Sequence, residues 1–138
     1  MNSPWSGPVL LLGGSSAERA RIARLVHLLG PQRNGEFREI DCRSGNAGAF
    51  LSMDQMASGS GTVFFDFIEC LAAPDQHRLM DWLDYQVDLR LNLRLQWRVV
   101  AGLSPAHGDR LLPALFDSLD KWRIEFSGVP GELLKQEA

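Results

Sequence analysis

The chain has 138 residues, 45% of them hydrophobic, which is enough for one domain with its own apolar core. The net charge is −3, and basic and acidic residues are interspersed along the sequence, so no basic stripe is available to follow a nucleic-acid backbone. No apolar run approaches the ~20 residues of a membrane span. Two cysteines and no signal-peptide pattern favour a reduced, cytoplasmic setting with free, buried thiols.

The first predicted elements are a strand over residues 8–13 and a helix that follows it. The run Val-Leu-Leu-Leu is apolar without alternation, which is typical of a strand covered on both faces. Ser15 or Ser16 can cap the helix, and Gly30-Pro31 ends it. Residues 1–7 are rich in turn formers and predict a flexible lead-in. The predicted inner stripe of the helix is Ile22, Leu25, Val26 and Leu29.

The rest of the chain alternates strands with helices, which predicts an α/β domain over residues 8–138 with three layers and a five-stranded, mainly parallel sheet. The other predicted strands cover residues 37–42, 62–68, 96–102 and 122–126. The predicted helices cover residues 47–57, 74–86 and 107–119, with a helical turn at 131–138. Apolar residues at every second position from 87 to 99 indicate extended chain leading into the fourth strand.

The turn after the first strand has the layout of a phosphate-binding loop, G-x-x-x-x-G-K-[ST], without the residues that hold a phosphate. Glu18 stands at the second glycine, Arg19 at the lysine and Ala20 at the hydroxyl residue. A carboxylate at that point repels phosphates, and its Cβ disfavours the left-handed backbone that glycine adopts freely. A residual anion or nucleotide site remains an alternative, because a helix N-terminus attracts anions. Its residues would be Gly14, Ser15, Ser16, Arg19 and Asp66.

These motifs together resemble the AAA+ domain of the bacterial enhancer-binding proteins, the ATPases that remodel RNA polymerase bound to sigma-54. Residues 9–13 and 22–27 look like that family's first strand and helix. Residues 61–68, Gly-Thr-Val-Phe-Phe-Asp-Phe-Ile, look like its Gly-Thr-Leu-Phe-Leu-Asp-Glu-Ile motif, and residues 97–104 look like its sensor strand. The resemblance implies a P-loop NTPase core with strand order 5-1-4-3-2, and nothing after Phe126 matches the family's helical lid.

The departures from the family pattern fall on catalytic positions. Asp66 retains the carboxylate on the magnesium side, although bonds to solvent or to the loop serines also explain it. Phe67 replaces the glutamate that orients the attacking water. Ser104 replaces the sensor asparagine, and Leu112 and Ser118 stand where the family supplies arginines to a neighbouring subunit.

The loop that contacts the sigma factor in that family is also altered. Its segment is shorter here, and Gly48-Ala49-Phe50 matches only the first half of the Gly-Ala-Phe-Thr-Gly-Ala signature. The three histidines are far apart in the sequence and have no cysteine or carboxylate at ligand spacing, so we predict no metal site.

The sequence therefore predicts a catalytically inactive AAA+-like module with a regulatory or protein-interaction role in a sigma-54 or two-component circuit. We expect no catalytic residues, no bound cofactor, no direct nucleic-acid contact and no membrane contact. The partner would be a second copy, giving a homo-oligomer, or an AAA+ regulator. The alternative is a sensor that binds ATP or a guanine nucleotide through Arg19 without rapid hydrolysis. A receiver-like domain is a weaker alternative, because Gly13-Gly14 occupies the place of its acidic cluster.

Overall fold

The computed structural model describes residues 7–51, 59–88 and 97–126. The strands are β1 (Val9–Leu12), β2 (Glu36–Asp41), β3 (Gly61–Asp66), β4 (Trp97–Leu103) and β5 (Trp122–Glu125). The α-helices are α1 (Ser16–Leu29), α2 (Asn46–Phe50), α3 (Ala73–Asp88) and α4 (Pro113–Leu119), and 3-10 segments cover Ile68–Cys70 and Pro105–Arg110. None of the helices within these ranges is long and apolar enough to cross a membrane.

The five strands form one parallel sheet in the order β2-β3-β4-β1-β5. Read from the other edge, this is the predicted order 5-1-4-3-2. The three central strands are buried along their whole length, which the unbroken apolar run had predicted for β1. Because all strands are parallel, their carboxyl ends lie at one edge of the sheet.

Each face of the sheet carries its own apolar cluster. Leu10 and Leu12 point to the face where α3 and α4 contribute Leu79, Leu83, Leu115 and Leu119. Val9 and Leu11 point to the opposite face, where α1 contributes Ala23 and Val26. The alternation within β1 therefore places helices on both sides and confirms the three-layer architecture.

Helix α1 is rotated relative to the prediction. Leu25 and Leu29, which were predicted to face the core, are 47% and 63% exposed. The buried positions are Arg19, Ala23, Val26 and His27. The physical reason is that Arg19, in the first turn, points inward to the carboxylate of Asp66. Residues four, seven and eight positions after Arg19 lie on the same face of the helix, so they are buried as well.

Other boundaries also differ from the sequence prediction. The predicted helix 107–119 is divided, because Pro113 has no N–H and holds Leu112 in an extended conformation (φ −60°, ψ 132°). Helix α3 continues to Asp88, so residues 87 and 88 are helical where extended chain was predicted. The predictions for residues 1–6, 52–57, 89–96 and 131–138 lie outside the described residues.

Candidate functional site

All five residues of the predicted anion site lie together at the carboxyl edge of the sheet. Gly14 follows β1, Ser15 and Ser16 begin α1, Arg19 lies one turn further along, and Asp66 ends β3. They meet because β1 and β3 both flank β4. The structure thus places the residues as the resemblance implied, but it connects them to one another in a way that the sequence did not indicate.

Arg19 is a buried cross-link between the helix and the sheet. Its side chain is 2% exposed, and its Nε donates to Oδ1 of Asp66 at 2.7 Å. Its Nη1 donates to the backbone carbonyls of Gly13 at 3.0 Å and Gly14 at 3.1 Å. Two of its three nitrogens are therefore engaged by acceptors of the protein itself, and the guanidinium points into the fold.

Asp66 is engaged through both of its carboxylate oxygens. In addition to Arg19, Oδ1 accepts a hydrogen bond from the backbone N–H of Phe67 at 3.0 Å. Oδ2 accepts from the hydroxyl of Ser16 at 2.5 Å, which confirms the expected bond to a loop serine. The carboxylate is 3% exposed, so a cation, a hydroxyl and an amide replace the water that a buried charge loses.

Gly102 on β4 makes room for this ion pair. A Cβ on Gly102 would lie 3.0 Å from Nε of Arg19 and still closer to Oδ1 of Asp66. The two charged side chains therefore lie directly against the backbone of β4. A glycine within a buried strand is a recognised sign of such a close approach, and this sign was available in the sequence but was not used.

The turn before α1 is closed by its own side chains. Gly13 and Gly14 have left-handed φ values of 85° and 66°, and Phe126 packs so close to Gly14 that a Cβ there would lie 2.9 Å from its ring. Ser15 and Glu18 form a capping box, in which the Ser15 N–H donates to Glu18 at 2.7 Å and the Glu18 N–H donates to Ser15 at 3.1 Å. These two amides are therefore satisfied within the chain.

Phe67 has a left-handed backbone, with φ 56° and ψ 49°, directly after the strand. Its ring lies 4.9 Å from the guanidinium carbon of Arg19 and 3.9 Å from that of Arg43, distances typical of cation–π contacts. Arg43 in turn forms an ion pair with Asp41 at 2.7 Å. The apolar ring of Phe67, between two guanidinium groups, thus occupies the position that holds the water-orienting glutamate in the family that the sequence resembles.

Glu69 is a buried carboxyl group that the sequence analysis missed. It is 1% exposed, its Oε1 accepts a long hydrogen bond from the Ser104 N–H at 3.3 Å, and its Oε2 has no hydrogen-bond partner among the described residues. Burial raises the pKa of Glu69 above its usual value of 4.5, and the Asp66 charge adds to the rise while the Arg19 charge and two backbone N–H bonds oppose it. Only its position three residues after the strand-ending acid could have drawn attention to it.

Glu69→Gln is expected to raise the thermal unfolding temperature at pH 7. In the window between the unfolded pKa, near 4.5, and the raised folded pKa, the folded state binds more protons than the unfolded state. The contribution of this carboxyl is therefore present at low pH and is lost as the pH rises through that window, because the charged form is buried. The amide keeps the acceptor for Ser104 and has no charge to bury.

Melting curves between pH 4 and pH 8 check this expectation. The gain of the Glu69→Gln variant over the parent should grow as the pH rises. The exposed Glu39→Gln is the matched control, and its difference from the parent should stay small. A gain that is constant over the whole range would contradict the role given to the Glu69 charge.

The two cysteines line one cavity of about 290 Å³ beside this site, together with Arg43, Gly45 and Asp75. Cys42 is buried and Cys70 is half-buried, and both are free thiols, so the predicted burial holds fully for Cys42 only. Burial raises the pKa of both thiols above the usual value. Such thiols are protonated at neutral pH and therefore poor nucleophiles.

Three of the other positions singled out in the sequence have structural roles. Phe50, in the partial sigma-contact signature, is 3% exposed in α2 and packs with ring centroids 5.9 Å from Phe65 and 5.2 Å from Trp97. The Leu112 N–H donates to Gln76 at 2.8 Å. His27 is buried and bonds Thr62 at 2.7 Å. Within the described ranges, no group of three or more His, Cys, Asp and Glu residues could hold a metal ion.

Comparison with solved structures defines the class to which this architecture belongs. The chain superposes on NtrX from Brucella abortus in complex with ADP with a TM-score of 0.68 over 88% of its length, at 16% identity. It superposes on the P-loop NTPase domain of the sigma-54 transport activator from E. coli with a TM-score of 0.59, at 19% identity, covering 93% of this chain and 87% of that one. It also resembles RuvB, the Holliday junction branch migration motor of Thermotoga maritima, with a TM-score of 0.60 over 94% of its length, at 18% identity.

The chain thus has the α/β fold of the AAA+ P-loop NTPases, and the resemblance to the sigma-54 activators is confirmed at the level of the fold. It spans 32% of NtrX and 41% of RuvB. Neither a family model nor a curated protein matches the sequence.

Proposed function

We propose that this chain is a catalytically inactive AAA+-like module that acts through protein contacts in a regulatory circuit of the sigma-54 type. The observation that carries the proposal is the buried ion pair of Arg19 and Asp66. These residues stand at the positions that give the resembling family its phosphate-binding lysine and its magnesium-side carboxylate. Here they neutralise each other inside the fold.

The donors and acceptors of this edge do not fit a magnesium nucleotide. Arg19 gives Nε and Nη1 to protein acceptors, and both oxygens of Asp66 already accept hydrogen bonds. The Glu18 carboxylate is held at the start of α1 by the capping box, so it places a negative charge where phosphates would lie. Binding a triphosphate would require breaking a buried ion pair, which is costly because it exposes each charge to an apolar interior.

The hydrolytic part of the proposal rests on Phe67. Phosphoryl transfer depends on the positioning of the attacking water and on the neutralisation of developing charge. Phe67 offers neither, and the nearby buried carboxyl of Glu69 is held toward Ser104 with a raised pKa. Glu69 is 1% exposed and its Oε1 accepts from the Ser104 N–H, so this carboxyl is not presented to a water in place of the missing glutamate.

Nucleotide titration tests the proposal directly. We expect no change in unfolding temperature at millimolar ATP or GTP with magnesium, and no release of phosphate above the buffer rate. A ligand at 100 times its dissociation constant would stabilise the folded state by about 2.7 kcal/mol, which is readily measured.

Asp66→Ala is the matched variant for this titration. A nucleotide-dependent shift in the parent that disappears in Asp66→Ala would contradict the proposal and favour the nucleotide-sensor alternative. Phosphate release that depends on Asp66 would overturn the assignment of an inactive module. Each variant is compared with its own unliganded melting curve, so a lower starting stability does not obscure the result.

A further inference from the structure

Strand β5 forms one edge of the sheet, and among the described residues it pairs with β1 alone. All four of its residues are exposed, including Trp122 at 38% and Ile124 at 37%. An open edge strand with apolar side chains is a template for pairing with a strand from another chain.

In β5, two charged residues carry the backbone N–H and C=O groups that point away from the sheet. The Phe126 N–H donates to the Leu12 carbonyl on β1 at 3.0 Å. Because backbone direction alternates along a strand, Ile124 shares this inward direction. Arg123 and Glu125 therefore direct their N–H and C=O groups away from β1, toward any strand that pairs with this edge.

We propose that β5 pairs antiparallel with β5 of a second copy of the chain, about a two-fold axis at Ile124. In this register Arg123 of one copy lies opposite Glu125 of the other, and both occupy outward-facing, hydrogen-bonded positions. The reciprocal pair forms by symmetry, as it must in an isologous interface. Ile124 then faces Ile124 of the other copy in the close, non-hydrogen-bonded position.

The charges select this register over its neighbours. An axis at Arg123 would place arginine opposite arginine, and an axis at Glu125 would place glutamate opposite glutamate, and like charges opposite each other are destabilising. An axis between two residues would set outward-facing groups against inward-facing ones, so the backbone could not pair. With the axis at Ile124, the outward backbone groups form hydrogen bonds between the copies and opposite charges face each other.

Contacts within the chain hold the charged groups ready for such a pairing. Arg123 Nη2 lies 2.8 Å from Oδ2 of Asp120, and its Nη1 lies 3.3 Å from Oε2 of Glu125 on the same face of the strand. This arrangement raises the pKa of Arg123, so the guanidinium is charged at all relevant pH values. Trp122 and Ile124 lie on the other face, where their exposed apolar surface would be covered by the second copy.

This inference rests on the interaction role in the proposed function and names its partner and surface, but it does not require catalytic inactivity. The experiment is sedimentation equilibrium of the full chain over a wide concentration range, with R123E and E125R as variants. The parent should form a dimer. Each variant alone places like charges opposite each other twice, and its dissociation constant should rise at least about tenfold, which corresponds to about 1.4 kcal/mol.

An equimolar mixture of the two variants provides the decisive measurement. The R123E chain presents two acids at this edge and the E125R chain presents two bases, so both cross-copy pairs are complementary again in the mixed dimer. R33E makes the same charge change in the turn after α1, where Arg33 is exposed, and should dimerise like the parent. Melting curves verify that every variant is folded.

Three results would overturn the inference. A parent chain that stays monomeric at all concentrations would mean that this edge is covered within the chain or by a different protein. Single variants that dimerise like the parent would place the interface elsewhere. A mixture that fails to form the mixed dimer would exclude the Ile124 register. Nucleotide binding, measured separately, decides the catalytic question and leaves these outcomes unaffected.

Discussion

Arg19→Met is expected to destabilise the fold by about 3–5 kcal/mol, because it leaves the carboxylate of Asp66 buried without its cation. The substitution keeps most of the volume of the side-chain stem, so the loss comes chiefly from the ion pair at 2.7 Å and from the two carbonyls of Gly13 and Gly14 that lose their donor. Urea unfolding at pH 7 measures the free energy of unfolding.

The double variant Arg19→Met/Asp66→Asn distinguishes the ion pair from general packing. Removing both charges avoids the unpaired carboxylate, so the double variant should be more stable than the sum of the two single losses predicts, with a coupling energy of about 0.5–3 kcal/mol. Arg33→Met, at an exposed arginine, is the control and should change stability by no more than about 0.5 kcal/mol. Additive losses in the double variant would show that the two charges do not depend on each other.

Gly102→Ala is expected to cost about 1–3 kcal/mol, because its methyl group would enter the space of the ion pair. The glycine is buried in β4 at the point where Arg19 and Asp66 lie against the strand. Neither charged group can move away easily, since each is held by several hydrogen bonds. The same urea titration reports the loss.

Making Gly102→Ala in a variant that lacks the Asp66 carboxylate tests this explanation. Asp66→Ala removes Oδ1 of Asp66, the atom nearest to a Cβ at Gly102, and leaves only the Arg19 side chain close to it, so adding Gly102→Ala should cost less there than in the parent. Gly108→Ala is the matched control, because a Cβ at Gly108 has no neighbour within 4 Å. An equal cost of Gly102→Ala in both backgrounds would mean that the loss arises from the strand backbone and not from the ion pair.

Much of the architecture could be predicted from the sequence. The apolar runs of β1 and β3 indicated buried strands, the alternating pattern before β4 indicated extended chain, and turn residues marked the boundaries of α1 and α3 to within a few residues. These signals are local: a run of buried residues or a capping serine acts within one element. The resemblance added the strand order, which no local signal contains.

The rotation of α1 could not be predicted in this way. Its apolar residues include Leu25 and Leu29, which favour one face by hydrophobicity alone, yet both are exposed. The buried Arg19 outweighs them, because the partner that stabilises it, Asp66, is 47 residues further along the chain. Hydrophobic periodicity within a helix carries no information about such a distant partner.

The sequence by itself determined which residues lie at the carboxyl edge of the sheet, because parallel strands carry the residues that follow them to one edge. Only the tertiary structure decided what these residues do to one another. Whether Arg19 faces a ligand or Asp66, whether Gly102 leaves room for the pair, and whether Glu69 is solvated or buried all depend on distances between elements. Those distances follow from the packing of three layers, which residue spacing along the chain does not specify.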